Sequence, residues 1–272
     1  MNWIHRASGV LHRPGDSGLT VAIVGSLHGD EPAGAEAVRR IQSWPESRWA
    51  GCRHSVVLAV GNPAALALGA RAVPGHPDLN RCFGTGDGRD DPRAATLRDA
   101  LSDVDVLLDM HQTRRAIPPL GVLPDGGEAL ALSLARRLGL GVAVSGAALA
   151  YGRAMLADWV VGRGGRALTV ELGSVADPGC VDRAEALAHS LLFDEDRRTP
   201  VRVWRIKSIL RCPGADLRFL RPLVNESVVH AGERLGTSGG GDLVAPEDGV
   251  VFLPTEHAEP GSPAALFAVA VS

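Results

Sequence analysis

The sequence has few of the residues that mark several common classes of protein. Its 272 residues include only four cysteines, which are widely scattered and form no C-x-x-C pair. Aromatic residues make up 4% of the chain, and Lys207 is the only lysine. Scattered cysteines do not form the framework of a small disulfide-rich protein, so we expect all four to be reduced, as in a cytoplasmic protein.

Long apolar runs and a strong charge of one sign are also missing. No run is long enough to cross a bilayer, and residues 1–15 lack the apolar core of a signal peptide. The formal net charge of -3 gives no electrostatic reason to expect nucleic acid as a partner. The sequence therefore predicts a globular, cytoplasmic protein that binds neither a membrane nor nucleic acid. It leaves open whether the chain forms a homo-oligomer.

Apolar runs alternate with helical patterns up to about residue 198. The predicted strands are residues 19–25, 55–61, 104–110 and 168–172, and the predicted helices are residues 32–42, 94–101, 128–138 and 181–191. This alternation predicts an α/β fold with a largely parallel sheet and flanking helices. In such folds, reactive side chains gather where loops leave the carboxyl ends of the strands.

The pattern changes in the last part of the chain. Short predicted strands at residues 202–209, 227–230, 249–253 and 264–271 are separated by Gly- and Pro-rich turns, and no helical period remains. We therefore predict two domains. The larger α/β domain covers residues 1–198, and a small all-β domain of the barrel or sandwich type covers residues 199–272.

Two histidines and a glutamate at the ends of predicted strands are candidate metal ligands. His28 and Glu31 follow the strand at residues 19–25 with H-x-x-E spacing, which brings an imidazole and a carboxylate to the same side of a turn. His111 follows a second apolar run. Three nitrogen and oxygen donors, two local and one distant, suit a catalytic zinc ion, because one position must stay open for water.

Two neighbouring features are not counted as ligands. A second H-x-x-E match, formed by His230 and Glu233, lies in a turn-like stretch of the tail, where a chance match is the simpler interpretation. Asp109 comes two residues before His111. We expect it to point to the other face of its strand and to orient the loop rather than to bind a metal.

A carboxylate and a polar loop supply the other candidate site residues. Glu171 is a single carboxylate in an otherwise apolar strand, where burial would raise its pKa toward that of a general base. The alternative is a glutamate at a strand end that points into solvent. Arg71, Asn80 and Arg81 lie between the proposed active-site strands. An arginine beside an asparagine can hold a carboxylate with a bidentate fork and an amide donor.

Together these segments resemble the succinylglutamate desuccinylase/aspartoacylase family of the zinc-carboxypeptidase-like clan. The motifs that carry the resemblance are His28-Gly29-Asp30-Glu31, Gly61-Asn62-Pro63 with Arg71, Asp78-Leu79-Asn80-Arg81, Asp109-Met110-His111 and Val170-Glu171-Leu172-Gly173. They occur in the family's order over about residues 19–175. The resemblance implies a zinc-carboxypeptidase-like mixed, largely parallel sheet in a catalytic domain over residues 1–198, followed by the small all-β domain.

The resemblance also implies an activity and a role for each catalytic residue. The expected activity is zinc-dependent hydrolysis of the amide bond of a small, anionic N-acyl amino acid. One Zn²⁺ per chain would be bound by His28, Glu31 and His111. Glu171 would be the general acid and base, and Arg71 would stabilise the oxyanion of the tetrahedral intermediate.

The resemblance assigns the substrate contacts as well. Asn80 and Arg81 would hold the carboxylate of the amino-acid part, and Arg115 matches an arginine of the desuccinylase branch. The tail lacks any tyrosine, so a tail-derived aromatic contact of the family is missing or replaced. This difference leaves the reaction class standing and the identity of the acyl group open.

Two other functions stay open at this point. A metallocarboxypeptidase that acts on short peptides would have the same metal site and would differ only in its pocket. A non-catalytic binding module of the same fold is the second alternative. Residues 229–251 look similar to lipoyl- or biotinyl-type barrels, but Lys207 lies outside this segment, which argues against covalent attachment of a cofactor.

Overall fold

A computed structural model of the protein describes residues 3–16, 18–84, 91–114 and 117–271. Its strands, in chain order, are β1 (Ile4–Ala7), β2 (Val10–Arg13), β3 (Thr20–Gly25), β4 (Ser55–Val60), β5 (Val106–Thr113), β6 (Leu120–Val122), β7 (Val142–Ser145), β8 (Arg166–Ser174), β9 (Arg202–Arg211), β10 (Arg218–Phe219), β11 (Ser227–Val229), β12 (Arg234–Ser238), β13 (Gly241–Val244), β14 (Gly249–Phe252) and β15 (Pro263–Ala270). Its helices are α1 (Ala33–Gln42), α2 (Pro63–Leu68), α3 (Pro92–Ala100), α4 (Glu128–Arg137), α5 (Ala148–Tyr151), α6 (Leu156–Gly162) and α7 (Gly179–Leu192). Two 3-10 helices cover Glu46–Trp49 and Leu79–Arg81.

The chain divides into two compact units. The first contains Met1–Ala143 and Tyr151–Val201, and the second contains Val144–Ala150 and Arg202–Ser272. The three candidate metal ligands and Glu171 all belong to the first unit. The assignment of residues 1–198 and 199–272 to separate domains stays a prediction.

The first unit is built on a mixed sheet with parallel strands at its centre. Strand β3 pairs in parallel with β4 and β5, and β5 pairs in parallel with β8. The flanking pairs β1/β2, β2/β4 and β6/β8 are antiparallel. The central strands are almost entirely buried because helices cover a parallel sheet on both faces. The predicted mixed α/β fold is confirmed.

Helix α1 lies directly against strand β3. Its buried residues include an apolar stripe of Ala33, Ala37, Val38 and Ile41. A Cβ atom added to Gly25 would lie 2.2 Å from the carbonyl carbon of Gly34, so the strand and the helix touch backbone to backbone. This contact fixes where the chain between them, residues 26–32, can lie. No helix in the described part of the chain is both long and apolar enough to cross a membrane.

The second unit is described almost entirely as antiparallel strands. Strand β15 pairs with β9 and β14, and β14 pairs with β11. A second sheet has the order β10-β12-β13. Between residues 202 and 271 the structure contains strands and turns and no helix, in agreement with the predicted strands. Leu235, Val251 and Phe267 lie in the core of this unit.

Candidate metal centre and active site

The turn between β3 and α1 is held by the side chain of Ser26. Ser26 is buried and has a φ of 57°, which is uncommon for any residue other than glycine. Its hydroxyl donates to the carbonyl of Glu31 at 2.7 Å and accepts from the amide of Ala35 at 3.2 Å. These two bonds stabilise an abrupt reversal of the chain. The reversal carries His28 and Glu31 at the carboxyl end of the sheet.

The three predicted metal ligands converge. The Nδ1 atom of His28 lies 2.8 Å from Oε1 of Glu31, and the Nδ1 atom of His111 lies 2.9 Å from Oε2 of the same carboxylate. The two Nδ1 atoms are 3.2 Å apart. All three side chains are buried, and each offers a donor atom within 4.8 Å of the other two. Two imidazoles and one carboxylate form a donor set typical of catalytic zinc.

Each histidine has a carboxylate on its other ring nitrogen. The Nε2 atom of His28 lies 3.0 Å from Oδ1 of Asp78, and the Nε2 atom of His111 lies 3.0 Å from Oδ2 of Asp109. A carboxylate in this position accepts a hydrogen bond from Nε2–H and leaves the lone pair of Nδ1 for a cation. Such partners orient both rings, as is common for histidines that bind metals.

The prediction for the orientation of Asp109 was wrong. Side chains two residues apart in a strand lie on the same face, so Asp109 and His111 point the same way. Asp109 is completely buried, and Thr169 Oγ1 also approaches its Oδ2 atom at 3.4 Å. The expectation that Asp109 is not a ligand itself agrees with this geometry, because the residue contacts the far side of the His111 ring.

Gln112 connects three elements beneath the ligands. Its backbone amide donates to Oε2 of Glu31 at 3.1 Å. Its side chain accepts from the amide of Ala33 at 2.8 Å and donates to the carbonyl of Ser174 at 3.2 Å. These bonds tie the carboxylate ligand to the first residue of α1 and to the end of β8. Nothing in the sequence indicated this role.

The cluster carries excess negative charge. Burial favours the neutral form of Glu31, but the two histidines outweigh it and hold the pKa of Glu31 well below its ordinary value. Burial alone would lower the pKa of His111, but Asp109 and Glu31 hold that pKa well above its ordinary value. Glu31, Asp78 and Asp109 all contact the two imidazoles, and the guanidinium of Arg71 contacts Asp78 and Glu31. With neutral imidazoles, the three carboxylates carry more negative charge than Arg71 offsets, which favours a divalent cation.

Glu171 lies beside the three ligands. It stands opposite His111 in the parallel pairing of β5 and β8, so both side chains emerge on the same face of the sheet. Its Oε2 atom is buried and has no hydrogen-bond partner. Burial raises the pKa of Glu171 to about 7, and the charge of Glu31 acts in the same direction. A carboxyl group of this kind can exchange a proton near neutral pH.

Arg71 lies at the open side of the cluster. Its Nε and Nη2 atoms donate to Oδ2 of Asp78 at 3.1 and 2.8 Å. Its Nη1 atom lies 3.5 Å from Oε1 of Glu31, and 44% of its side chain is exposed. The guanidinium is thus held beside the ligand atoms while part of it stays accessible to a molecule that enters the site.

Sequence comparison assigns the chain to a family. The model of the succinylglutamate desuccinylase/aspartoacylase catalytic domain matches residues 17–192, which include all three ligands and Glu171. The chain belongs to the succinylglutamate desuccinylase/aspartoacylase family. A "Probable aspartoacylase" from Nostoc sp. is 35% identical over 105 residues, a stretch that covers 34% of this chain and 35% of the Nostoc protein. The chain therefore matches about a third of that relative's length.

Solved structures from the succinylglutamate desuccinylase/aspartoacylase family share the fold. A succinylglutamate desuccinylase from Vibrio parahaemolyticus has a TM-score of 0.75 at 22% identity, covering 97% of this chain and 86% of that one. A succinylglutamate desuccinylase/aspartoacylase from Rhodobacter sphaeroides has a TM-score of 0.75 at 20% identity, with coverages of 97% and 89%. The product-bound ectoine utilization protein EutE (DoeB) from Ruegeria pomeroyi has a TM-score of 0.76 at 18% identity, with coverages of 96% and 88%.

In this member of the succinylglutamate desuccinylase/aspartoacylase family, the residues predicted to contact substrate are placed unequally. Asn80 is 3% exposed, and its side chain lies 3.5 Å from Nε2 of His111 and accepts from the amide of Leu156 at 2.9 Å. Arg81 donates to the carbonyl of Asn80 at 2.8 Å. Arg115 lies outside the described residues. The substrate roles of these three residues stay predictions.

The second H-x-x-E match does not form a comparable cluster. His230 is exposed, and its Nδ1 atom lies 3.5 Å from Oδ1 of Asp248. Glu233 instead accepts from the guanidinium of Arg221 at 3.0 Å. Within the described ranges, the only group of three such side chains close enough to share an ion is the one in the first unit. The chance-match interpretation of His230 and Glu233 agrees with this arrangement.

Proposed function

We propose that this chain is a zinc-dependent hydrolase that cleaves the amide bond of a small N-acyl amino acid. The observation that carries the proposal is the convergence of His28, Glu31 and His111 on one buried point beside Glu171. Membership of the succinylglutamate desuccinylase/aspartoacylase family supports the same reaction class.

The residues present fit a zinc ion. The donor atoms are two imidazole nitrogens and a carboxylate. Each imidazole has a carboxylate partner on its other ring nitrogen, and these carboxylates add negative charge around the cluster. His28, Glu31 and His111 would hold the ion. When bound there, zinc would supply a Lewis acid that polarises a carbonyl group and lowers the pKa of water.

Glu171 is proposed to move the proton that hydrolysis requires. Its carboxylate accepts a proton from the attacking water, whose oxygen bonds to the carbonyl carbon of the substrate. The same carboxyl group then donates that proton to the nitrogen of the departing amine as the C–N bond breaks. Its pKa of about 7 suits both halves of this transfer.

Positively charged and amide groups are proposed to orient the substrate. Arg71 keeps part of its guanidinium exposed beside Glu31, where it can stabilise negative charge on the carbonyl oxygen. Asn80 and Arg81, together with Arg115, are proposed to hold a carboxylate, so the substrate would be anionic.

We also propose that residues 199–272 form a separate all-β domain and that the protein is cytoplasmic.

A substrate panel tests the proposed reaction. Zinc-loaded protein should release free amino acid from at least one of a set of N-acetyl, N-succinyl and N-formyl amino acids, and it should act more slowly on short peptides. Release is measured by amine derivatisation and mass spectrometry, with the His111→Ala variant as the background control. Faster cleavage of the peptides would favour a carboxypeptidase. No turnover of any compound by zinc-loaded protein would contradict the proposal.

Zinc binding should release protons at neutral pH. In the metal-free protein the pKa of His111 lies well above its ordinary value, so the ring holds a proton that Zn²⁺ must displace. We expect about one proton released per Zn²⁺ bound, and a Zn²⁺ affinity that rises about tenfold per pH unit below that pKa. Calorimetric titrations in buffers of different ionisation enthalpy measure the number. Equal heats in all buffers would show that no proton is displaced.

A further inference from the structure

The loop between Arg71 and Asp78 contains a tight turn. The amide of His76 donates to the carbonyl of Val73 at 2.9 Å, and Gly75 has a φ of 83°. A type II turn requires a negative φ at its first central residue, which proline supplies, and a positive φ at its second, which glycine tolerates. Pro74 and Gly75 occupy these two positions. The sequence Val73-Pro74-Gly75-His76 therefore favours this shape locally, and the turn presents His76 as its last residue.

His76 attaches the loop to a buried carboxylate. Its Nδ1 atom lies 2.8 Å from Oδ2 of Asp91, and the residue Asp91 is only 6% exposed. The other oxygen of Asp91 accepts from the backbone amide of Arg93 at 2.7 Å, so Asp91 is also the N-cap of α3. The carboxylate is thus fixed to the start of a helix, whereas about half of the His76 side chain is exposed. Asp91 forms a rigid anchor for an otherwise exposed loop.

Arg93, two residues after this anchor, holds a second loop. The guanidinium of Arg93 donates to the carbonyls of Gly61, Val60 and Ser8 at 2.6, 2.8 and 2.7 Å. Gly61 precedes Asn62, whose side chain caps α2. The start of α3 therefore contacts two loops, the one at Gly61 through Arg93 and the one that ends at Asp78 through the bond between Asp91 and His76.

The end of the loop that His76 anchors contacts the metal ligands. Asp78 accepts from Nε2 of His28 through Oδ1 and from the Arg71 guanidinium through Oδ2. A shift of less than an ångström would break both bonds, because hydrogen bonds weaken steeply with distance and angle. The loss of a partner that orients a metal-binding histidine commonly lowers the affinity of the site for its metal.

We propose that His76 is a positioning residue: its hydrogen bond to Asp91 holds residues 72–77 in the conformation that lets Asp78 contact His28 and Arg71. The consequence for metal affinity and turnover rests on the proposed function. The consequence for the order of the loop does not, so the two can be tested separately.

Three histidine variants test this proposal. His76→Ala removes the bond to Asp91, whereas His76→Asn retains it, because the amide nitrogen of asparagine can replace Nδ1. His230→Ala removes an exposed histidine of the second unit, whose Nδ1 atom lies 3.5 Å from Oδ1 of Asp248, and serves as a control. Amide hydrogen exchange of residues 71–82 is measured in metal-free protein. The Kd for Zn²⁺ is measured by competition with a chelator, and kcat and KM are measured on the best substrate.

We expect faster exchange in residues 71–82 of His76→Ala, a Kd for Zn²⁺ about tenfold higher and a kcat about tenfold lower with KM nearly unchanged. His76→Asn and His230→Ala should behave like the unchanged protein. Unaltered exchange and Kd in His76→Ala would overturn the proposal, and so would equal losses in His76→Ala and His76→Asn. Faster exchange in a protein that binds no Zn²⁺ would support the positioning role and contradict the proposed function.

Discussion

Glu171→Gln should lower turnover by at least about a hundredfold while the protein still binds zinc. Glutamine has nearly the shape of glutamate, so packing against β5 is preserved. Its amide can neither accept the proton of the attacking water nor donate one to the departing amine. The three ligands do not depend on Glu171 for their orientation, because their hydrogen bonds go to Asp78, Asp109 and Gln112.

The measurement pairs kcat with metal content. Zinc per chain is determined by mass spectrometry of the purified protein, and Glu247→Gln, a change of an exposed glutamate, controls for the loss of one negative charge. Nearly full activity of Glu171→Gln would rule out this residue as the proton carrier. Loss of zinc together with activity would mean that Glu171 belongs to the metal site rather than to the proton transfer.

The same variant has a stability signature that depends on pH. The pKa of Glu171 rises from 4.5 to about 7 on folding, so the folded protein binds the proton more tightly than the unfolded chain. Its contribution to stability is present below pH 4.5 and is lost as the pH rises through 7. At pH 8, metal-free Glu171→Gln should therefore be more stable than the unchanged protein, by up to about 3 kcal/mol. Urea unfolding at pH 5 and pH 8 should show most of this gain at the higher pH.

His111→Ala should abolish zinc binding and destabilise the protein. The substitution removes one of three donors and leaves the buried carboxylates of Asp109 and Glu31 without the imidazole between them. Leaving a buried charge without its partner lowers the free energy of unfolding by about 3–5 kcal/mol. The melting temperature should therefore fall even in the metal-free protein. Metal analysis and thermal unfolding measure the two effects, and His230→Ala is the control. Zinc stoichiometry equal to that of the unchanged protein would refute the ligand assignment.

The central strands could be predicted from the sequence because burial on both faces makes a strand read as a continuous apolar run. Residues 19–25 and 55–61 match β3 and β4 to within one residue. Strand β1 gave no such signal, since all four of its residues are exposed or half-buried. The strand expected at residues 104–110 extends instead to Thr113, because His111 and Gln112 are buried within it although both are polar.

The local half of the metal site was more predictable than the distant half. Spacing alone brings His28 and Glu31 together, and the two-residue period of a strand places Asp109 on the same face as His111. The partnership of His28 with Asp78 spans 50 residues and depends on the path of the intervening loop. No pattern along the chain encodes such a path. For the same reason, the hydrogen bond between His76 and Asp91 could not be predicted from the sequence.

The contact between Gly25 and Gly34 limits how this enzyme scaffold can diversify. Even one methyl group on either residue would force the first helix outward and carry Glu31 away from its two histidine partners. Natural and laboratory evolution would therefore retain glycine at both Gly25 and Gly34. New substrate specificities would have to arise in the surrounding loops, such as residues 72–77, while the contact between Gly25 and Gly34 stays constant.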